Sequence, residues 1–87
     1  MKDKLLQIIN HYGLNKQLKY IHTEYFELDE AIIFGEPIHI AEEIADIMVM
    51  LEQFIVYFDI DNEQIEQIMV EKIDRQIKRI ESEDNDL

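Results

Sequence analysis

The sequence predicts an all-α protein, a four-helix bundle-like fold that forms one small domain and assembles as a homo-oligomer. Apolar residues recur at helical spacing along nearly the whole chain, and only two glycines and one proline interrupt them. Apolar residues make up 47% of the chain although its net charge is −12, so a core exists and the charges lie outside it or at a site. A chain of 87 residues buries only a modest core, and we therefore expect a homodimer or homotetramer.

The first two helices are separated by Gly13. We expect helix one over about 2–11 and helix two over about 15–34, with Asn15 as the N-cap of the second helix and Gly35 just beyond its end. An asparagine side chain can accept hydrogen bonds from the free N–H groups that begin a helix, and glycine readily adopts the left-handed conformation that ends one.

Helices three and four follow Pro37. Helix three is predicted over about 38–58, because Pro37 interrupts the chain just before Ile38 and apolar residues continue to the end of this range. Asp61 is placed to cap helix four, and Gln64 three residues later completes a capping-box pattern.

Together the four helices form the expected domain over residues 1–81. The acidic segment 82–87 has no apolar periodicity and is predicted to be a disordered tail. Helix three is apolar around most of its circumference, which predicts that other helices or a subunit interface enclose it. These apolar residues are Ile44, Ile47, Met48, Leu51, Phe54, Ile55 and Phe58. The predicted core stripe of helix four is Ile65, Met69, Ile73, Ile77 and Ile80.

Two pairs of carboxylates are the candidate functional residues. A helix advances about 100° per residue, so Glu24 and Glu27 lie together beside the apolar residues of helix two. Glu43 and Asp46 form an equivalent pair on helix three, and on neighbouring helices the two pairs could converge. Four carboxylates held close together repel one another unless a cation is bound. Mg²⁺, for which Mn²⁺ is a possible substitute, prefers such oxygen ligands and bridges substrate phosphates.

The spacing of these acids is weak evidence by itself. Twenty of the 87 residues are acidic, so Glu-x-x-Glu arises by chance more than once in such a chain. A solvated acidic edge or surface ion pairs are the commoner explanation of this pattern. The frame from Glu27 to Glu30 also fits the spacing.

A cationic row, Lys72, Arg75 and Arg79, follows one edge of the apolar stripe of helix four. In a chain this acidic, the row could hold the phosphates of a triphosphate, the arginines by bidentate contact and the lysine as a point charge. Pairing with neighbouring acids such as Glu71 explains exposed cations at least equally well.

Composition argues against several other classes. Eight lysines and arginines against twenty acids disfavour a nucleic-acid polymer as partner. No apolar run approaches the roughly 20 residues of a membrane span, and early charges interrupt any signal-peptide core, so we expect no membrane partner and a cytoplasmic location. Without cysteine there is no thiolate metal site. Only one histidine, His39, follows a glutamate by three positions, whereas a di-iron carboxylate bundle needs such an inward-facing pair on each of two helices, which disfavours that class.

Around the carboxylates the sequence resembles a known enzyme family. The segments 24–32 and 42–47 are similar to the Glu-x-x-Glu and Glu-x-x-Asp motifs of the MazG-like, all-α nucleoside triphosphate pyrophosphohydrolases. The segments 13–18 and 72–80 look like the flanking segments of that family, so the resemblance spans nearly the whole chain.

The resemblance implies Mg²⁺-dependent hydrolysis of nucleoside or deoxynucleoside triphosphates to a monophosphate and pyrophosphate, a house-cleaning activity on the nucleotide pool. It implies the frame from Glu24 to Glu27, because Leu28 and Ala31 then fall at the family's apolar positions. Many members carry two successive glutamates where this chain has Thr23 and Glu24. The alternative function is a non-catalytic helical interaction or regulatory module on the same scaffold.

The residue roles implied by the resemblance fall into three groups. The four metal ligands would be Glu24, Glu27, Glu43 and Asp46. One of Glu24 and Glu27 would orient or deprotonate the attacking water. The phosphate-binding residues would be Lys72, Arg75 and Arg79.

Overall fold

The computed structural model describes residues 1–85, which form four α-helices and no strand. The helices are α1 (Lys2–Tyr12), α2 (Leu14–Phe34), α3 (Pro37–Tyr57) and α4 (Asn62–Asn85). The prediction of an all-α protein is therefore confirmed. Within this described part, no helix is both long and apolar enough to cross a membrane.

A single residue, Gly13, separates α1 from α2. Its φ of 91° and ψ of 150° lie in a region that residues with a Cβ rarely adopt. Helical geometry resumes at once, and the carbonyl of Gly13 accepts a hydrogen bond from the N–H of Gln17 at 3.1 Å. Gly13 is thus the N-cap of α2, and the prediction of Asn15 in that role is wrong because the turn is completed before it.

The other helix boundaries agree with the signals in the sequence. Gly35 adopts the left-handed conformation, with φ of 71°, and its N–H donates to the carbonyl of Ala31. Pro37 occupies the first turn of α3. The Oδ1 of Asp61 accepts a hydrogen bond from the N–H of Glu63 at 3.0 Å, which confirms Asp61 as the cap of α4.

The last helix is longer than expected. It continues through residues 82–85, which we predicted to be part of a disordered tail, because no glycine or proline stops it and extending an existing helix costs less than starting one. The rest of the predicted tail, residues 86 and 87, lies outside the described residues.

The core lies between the first three helices. α1, α2 and α3 pack against one another, whereas α4 makes at most isolated contacts with them and has no buried residue. The buried apolar side chains are Ile9, Ile21, Ala31, Ile47 and Met50. In a single chain, therefore, only three of the four helices that we predicted to share one core pack around it.

One chain leaves an unusually large apolar surface exposed. Its radius of gyration is 16.6 Å, against about 12 Å for a compact domain of this length. The predicted enclosure of α3 does not occur within one chain, since Ile44, Met48 and Leu51 are exposed, and α4 projects away with its stripe uncovered. The exposed members of the α4 stripe are Met69, Ile73, Ile77 and Ile80.

Candidate metal centre

Packing of α2 against α3 brings the two predicted carboxylate pairs together. Glu24 and Glu27 lie one turn apart on α2, and Glu43 and Asp46 lie one turn apart on α3. One oxygen from each of the four carboxylates lies within 4.8 Å of the others. We call these four residues the carboxylate cluster. Glu30, the member of the alternative frame, is outside it.

The cluster contains carboxylate oxygens that the protein itself does not satisfy. Glu24 is buried, Glu27 and Glu43 are partly buried, and Asp46 is exposed. Among the described residues, the Oε2 atoms of Glu24 and Glu43 are buried without a hydrogen-bond partner. A buried carboxylate oxygen with no donor is costly, and a bound cation removes that cost. An all-oxygen donor set suits a hard divalent cation such as Mg²⁺ or Mn²⁺.

Burial and mutual repulsion perturb two of these acids. Burial raises the pKa of Glu24, and the neighbouring carboxylates of Glu27 and Asp46 raise it further, against an opposing effect of the Tyr20 hydroxyl. Burial also raises the pKa of Glu43, again assisted by the charges of Glu27 and Asp46. The cluster therefore holds excess negative charge that favours either a proton or a cation.

The raised pKa of Glu24 predicts a pH-dependent stability for the metal-free protein. Because the folded state binds this proton more tightly than the unfolded chain, the resulting stability is fully present below the ordinary pKa of 4.5. It is lost as the pH rises through the higher pKa of the folded state. In EDTA, Glu24→Gln should therefore raise the free energy of unfolding at pH 8 and leave it nearly unchanged at pH 4.

Urea denaturation followed by circular dichroism measures this difference. Asp29→Asn is the matched control, because Asp29 is an exposed carboxylate on the same helix and outside the cluster. A Glu24→Gln protein no more stable than the unsubstituted protein at pH 8 would show that the cluster carries no excess charge.

Two cavities flank the carboxylate cluster. The first, of about 430 Å³, lies between α1, α2 and α3 and reaches Glu24 and Asp46. We call it the glutamine cavity, because Gln17 and Gln53 line it. The second, of about 450 Å³, reaches Glu27 and Glu43. We call it the acidic cavity, and its other lining residues include Glu30, Glu36 and His39.

Three polar residues of the glutamine cavity were missed from the sequence. Gln17 and Gln53 are both buried, and the Nε2 of Gln17 donates to the Oε1 of Gln53 at 2.8 Å. Lys16 lines the same cavity with its Nζ 5.2 Å from the centre of the Tyr12 ring. Gln17 precedes Glu24 by seven residues and Gln53 follows Asp46 by seven, so each lies on the face of its helix that carries the cluster. This seven-residue spacing from the carboxylates could have identified both glutamines from the sequence.

The predicted phosphate-binding residues are not beside the cluster in one chain. Lys72, Arg75 and Arg79 are exposed on α4, and neither described cavity is lined by a residue of that helix. Within the described part of one chain, the only lysine or arginine that lines either cavity is Lys16.

The fold and the cluster define a class: an all-α protein with four convergent carboxylates that could hold a metal ion. Comparisons with protein-family models, with curated proteins and with solved structures return no match for this chain. The resemblance to the MazG-like enzymes therefore stays a prediction made from the residue pattern.

Proposed function

We propose that the protein is a Mg²⁺-dependent pyrophosphohydrolase of nucleoside or deoxynucleoside triphosphates. The observation that carries the proposal is the convergence of four carboxylates from α2 and α3, two of which bury oxygens that have no partner. A purely solvated acidic edge would keep these oxygens in water. Their burial next to two cavities instead favours a site at which a cation and its ligand bind together.

An acidic site can bind an anionic triphosphate only if a cation lies between their negative charges. The chain carries a net charge of −12, and direct contact between its carboxylates and phosphate oxygens would be repulsive. A divalent cation held by the carboxylate cluster would supply the positive charge that offsets this repulsion and that stabilises negative charge on the phosphoryl oxygens. Glu24, Glu27, Glu43 and Asp46 are the residues that would hold it.

One of the carboxylates would also act as the general base that accepts a proton from the attacking water. Attack of water on a phosphorus atom breaks the anhydride bond between the α- and β-phosphoryl groups, and the products are a nucleoside monophosphate and pyrophosphate. Glu24 or Glu27 would orient this water and accept its proton as the new phosphorus–oxygen bond forms. No covalent intermediate with the protein is required. Such substrates are made in the cytoplasm, which is the proposed location.

The proposed functional unit is a homo-oligomer in which α4 of one copy docks on another. α4 packs little against the core and exposes four of the five residues of its apolar stripe, and each isoleucine buried on docking would contribute about 1.5–3 kcal/mol to association. Four of the eight cations of the chain lie on this helix, whereas the cluster lies on α2 and α3. Docking between copies would therefore cover apolar surface and also bring Lys72, Arg75 and Arg79 toward the carboxylates of the partner.

Pyrophosphate release from a panel of nucleoside triphosphates tests the proposal directly. Purified protein should release pyrophosphate in Mg²⁺ and should release none in EDTA, and the nucleoside product should be the monophosphate. Metal binding without any turnover across the panel would instead favour a non-catalytic module on this scaffold.

A further inference from the structure

Two buried glutamines form a polar wall of the glutamine cavity. Gln17 of α2 and Gln53 of α3 are 6% and 2% exposed, and one hydrogen bond of 2.8 Å joins their amides. The remaining contacts described for them run from each Nε2 to the sulfur of Met50, at 3.9 Å and 3.7 Å. Sulfur is a weak acceptor, so much of the hydrogen-bonding capacity of the two amides is unused within the protein.

An amide pair of this kind is a poor way to fill a core. A buried polar group without a full set of partners costs about 1–3 kcal/mol, and apolar side chains of similar size would avoid that cost. The pair does not sit in a closed core, however, because it borders a cavity of about 430 Å³. Pockets of this size commonly bind small molecules, with a few polar groups fixing the orientation of the ligand. The unused donors and acceptors are therefore available to a ligand.

We propose that Gln17 and Gln53 recognise the base of the nucleoside triphosphate, an inference that rests on the proposed function. A glutamine amide carries an acceptor and a donor side by side, which complements the edge of a base that offers both. Gln17 would contact the base. Gln53 is a positioning residue, because its Oε1 takes one N–H of Gln17 and so fixes which way the Gln17 amide faces.

The position of the pair relative to the carboxylate cluster supports this assignment. Glu24 and Asp46 line the same cavity, so a nucleoside inside it and phosphates at the cluster could belong to one molecule. Among residues 1–85, no carboxylate outside the cluster lines this cavity. The acidic cavity, by contrast, is also lined by Glu30 and Glu36, which makes it less suited to an anionic ligand.

The walls of the glutamine cavity suit the flat, partly apolar body of a base. Ile8 and Val49 provide apolar surface, and Tyr12 provides an aromatic ring on which a base can stack. The amide pair would then supply the directional contacts. Removing a hydrogen-bonding partner from such a site leaves a polar group of the favoured base unpaired, which lowers the affinity for that base and so reduces the selectivity.

Binding of the common nucleoside monophosphates in Mg²⁺, measured by calorimetry, tests the inference without any need for turnover. The unsubstituted protein should bind one base at least about tenfold more tightly than the least favoured one. Gln17→Met and Gln53→Met, which keep the side-chain length, should reduce that preference to within about threefold. Gln7→Met, at an exposed position on α1, is the matched control and should leave the preference unchanged.

A further variant tests the inference independently in case the methionine variants do not fold. Gln17→Glu keeps the shape of the side chain but leaves only acceptors, so it should favour guanine, whose edge offers two donors, by at least about threefold relative to the other bases. A base ranking unchanged in Gln17→Glu and in both methionine variants would overturn the inference, as would an unsubstituted protein without base preference. If the ranking depends on Gln17 but no pyrophosphate is ever released, the proposed reaction is wrong and the base site stands.

Discussion

Glu43→Gln and Asp46→Asn should each lower Mg²⁺-dependent pyrophosphate release at least about a hundredfold, with the helical circular dichroism unchanged. Each substitution removes one negative oxygen that α3 contributes to the carboxylate cluster and preserves the shape of the side chain. Asp46 is exposed and Glu43 only partly buried, so neither change creates a cavity in the core. The loss should therefore come from the cation site.

Glu42→Gln is the matched control for this pair of variants. Glu42 is the neighbour of Glu43, is exposed, and contacts only His39 at 4.0 Å among its described charged neighbours. It carries the same charge and lies outside the cluster. Activity should stay within about twofold of the unsubstituted protein, because exposed ion pairs contribute little. Full activity in both Glu43→Gln and Asp46→Asn would refute the site assignment.

The second large effect is expected at the apolar stripe of α4. Ile77→Glu should convert the proposed oligomer into monomers of 10.5 kDa and abolish pyrophosphate release. The side chain is half exposed in a single chain, so the substitution does not disturb the core of α1, α2 and α3. In a symmetric assembly it places a charge in the interface of every copy, which should weaken association at least about a hundredfold.

Light scattering coupled to size-exclusion chromatography measures the mass of each variant. Gln76→Glu adds the same charge at the adjacent position outside the predicted stripe and should leave the oligomer intact. We expect Arg75→Gln, like Asp46→Asn, to lower activity when present in every copy. Mixing the two variants should restore activity, because a mixed pair keeps one site with intact carboxylates and a partner's intact cations. An unsubstituted protein that is monomeric, or a mixture that stays inactive, would contradict the shared site.

Much of the fold was predictable because its signals are local. Helical periodicity, the left-handed Gly35, Pro37 at a first turn and the Asp61 cap each act over a few residues, and the structure agrees with them. Asn15 failed as a cap because Gly13 alone completes the turn. The segment 82–85 failed as a tail because no residue in it breaks an established helix.

Packing between distant segments was less predictable. The i, i+3 spacing placed Glu24 beside Glu27, but only the packing of α2 on α3 brings them to Glu43 and Asp46. The pairing of Gln17 with Gln53 depends on the same contact, and a single polar residue on a helix face does not reveal its partner. The apolar stripe of α4 was predicted to be part of the core, yet most of it is exposed in one chain, because periodicity cannot tell whether the same chain or another copy covers such a stripe.

Titration of the protein with Mn²⁺, followed by electron paramagnetic resonance of the free ion, tests the central claim most directly. The account predicts saturable binding that Mg²⁺ displaces, that is lost in Asp46→Asn and that persists in Glu42→Gln. Binding that does not saturate, or that is equal in the two variants, would show that the carboxylate cluster is an acidic surface and not a metal centre.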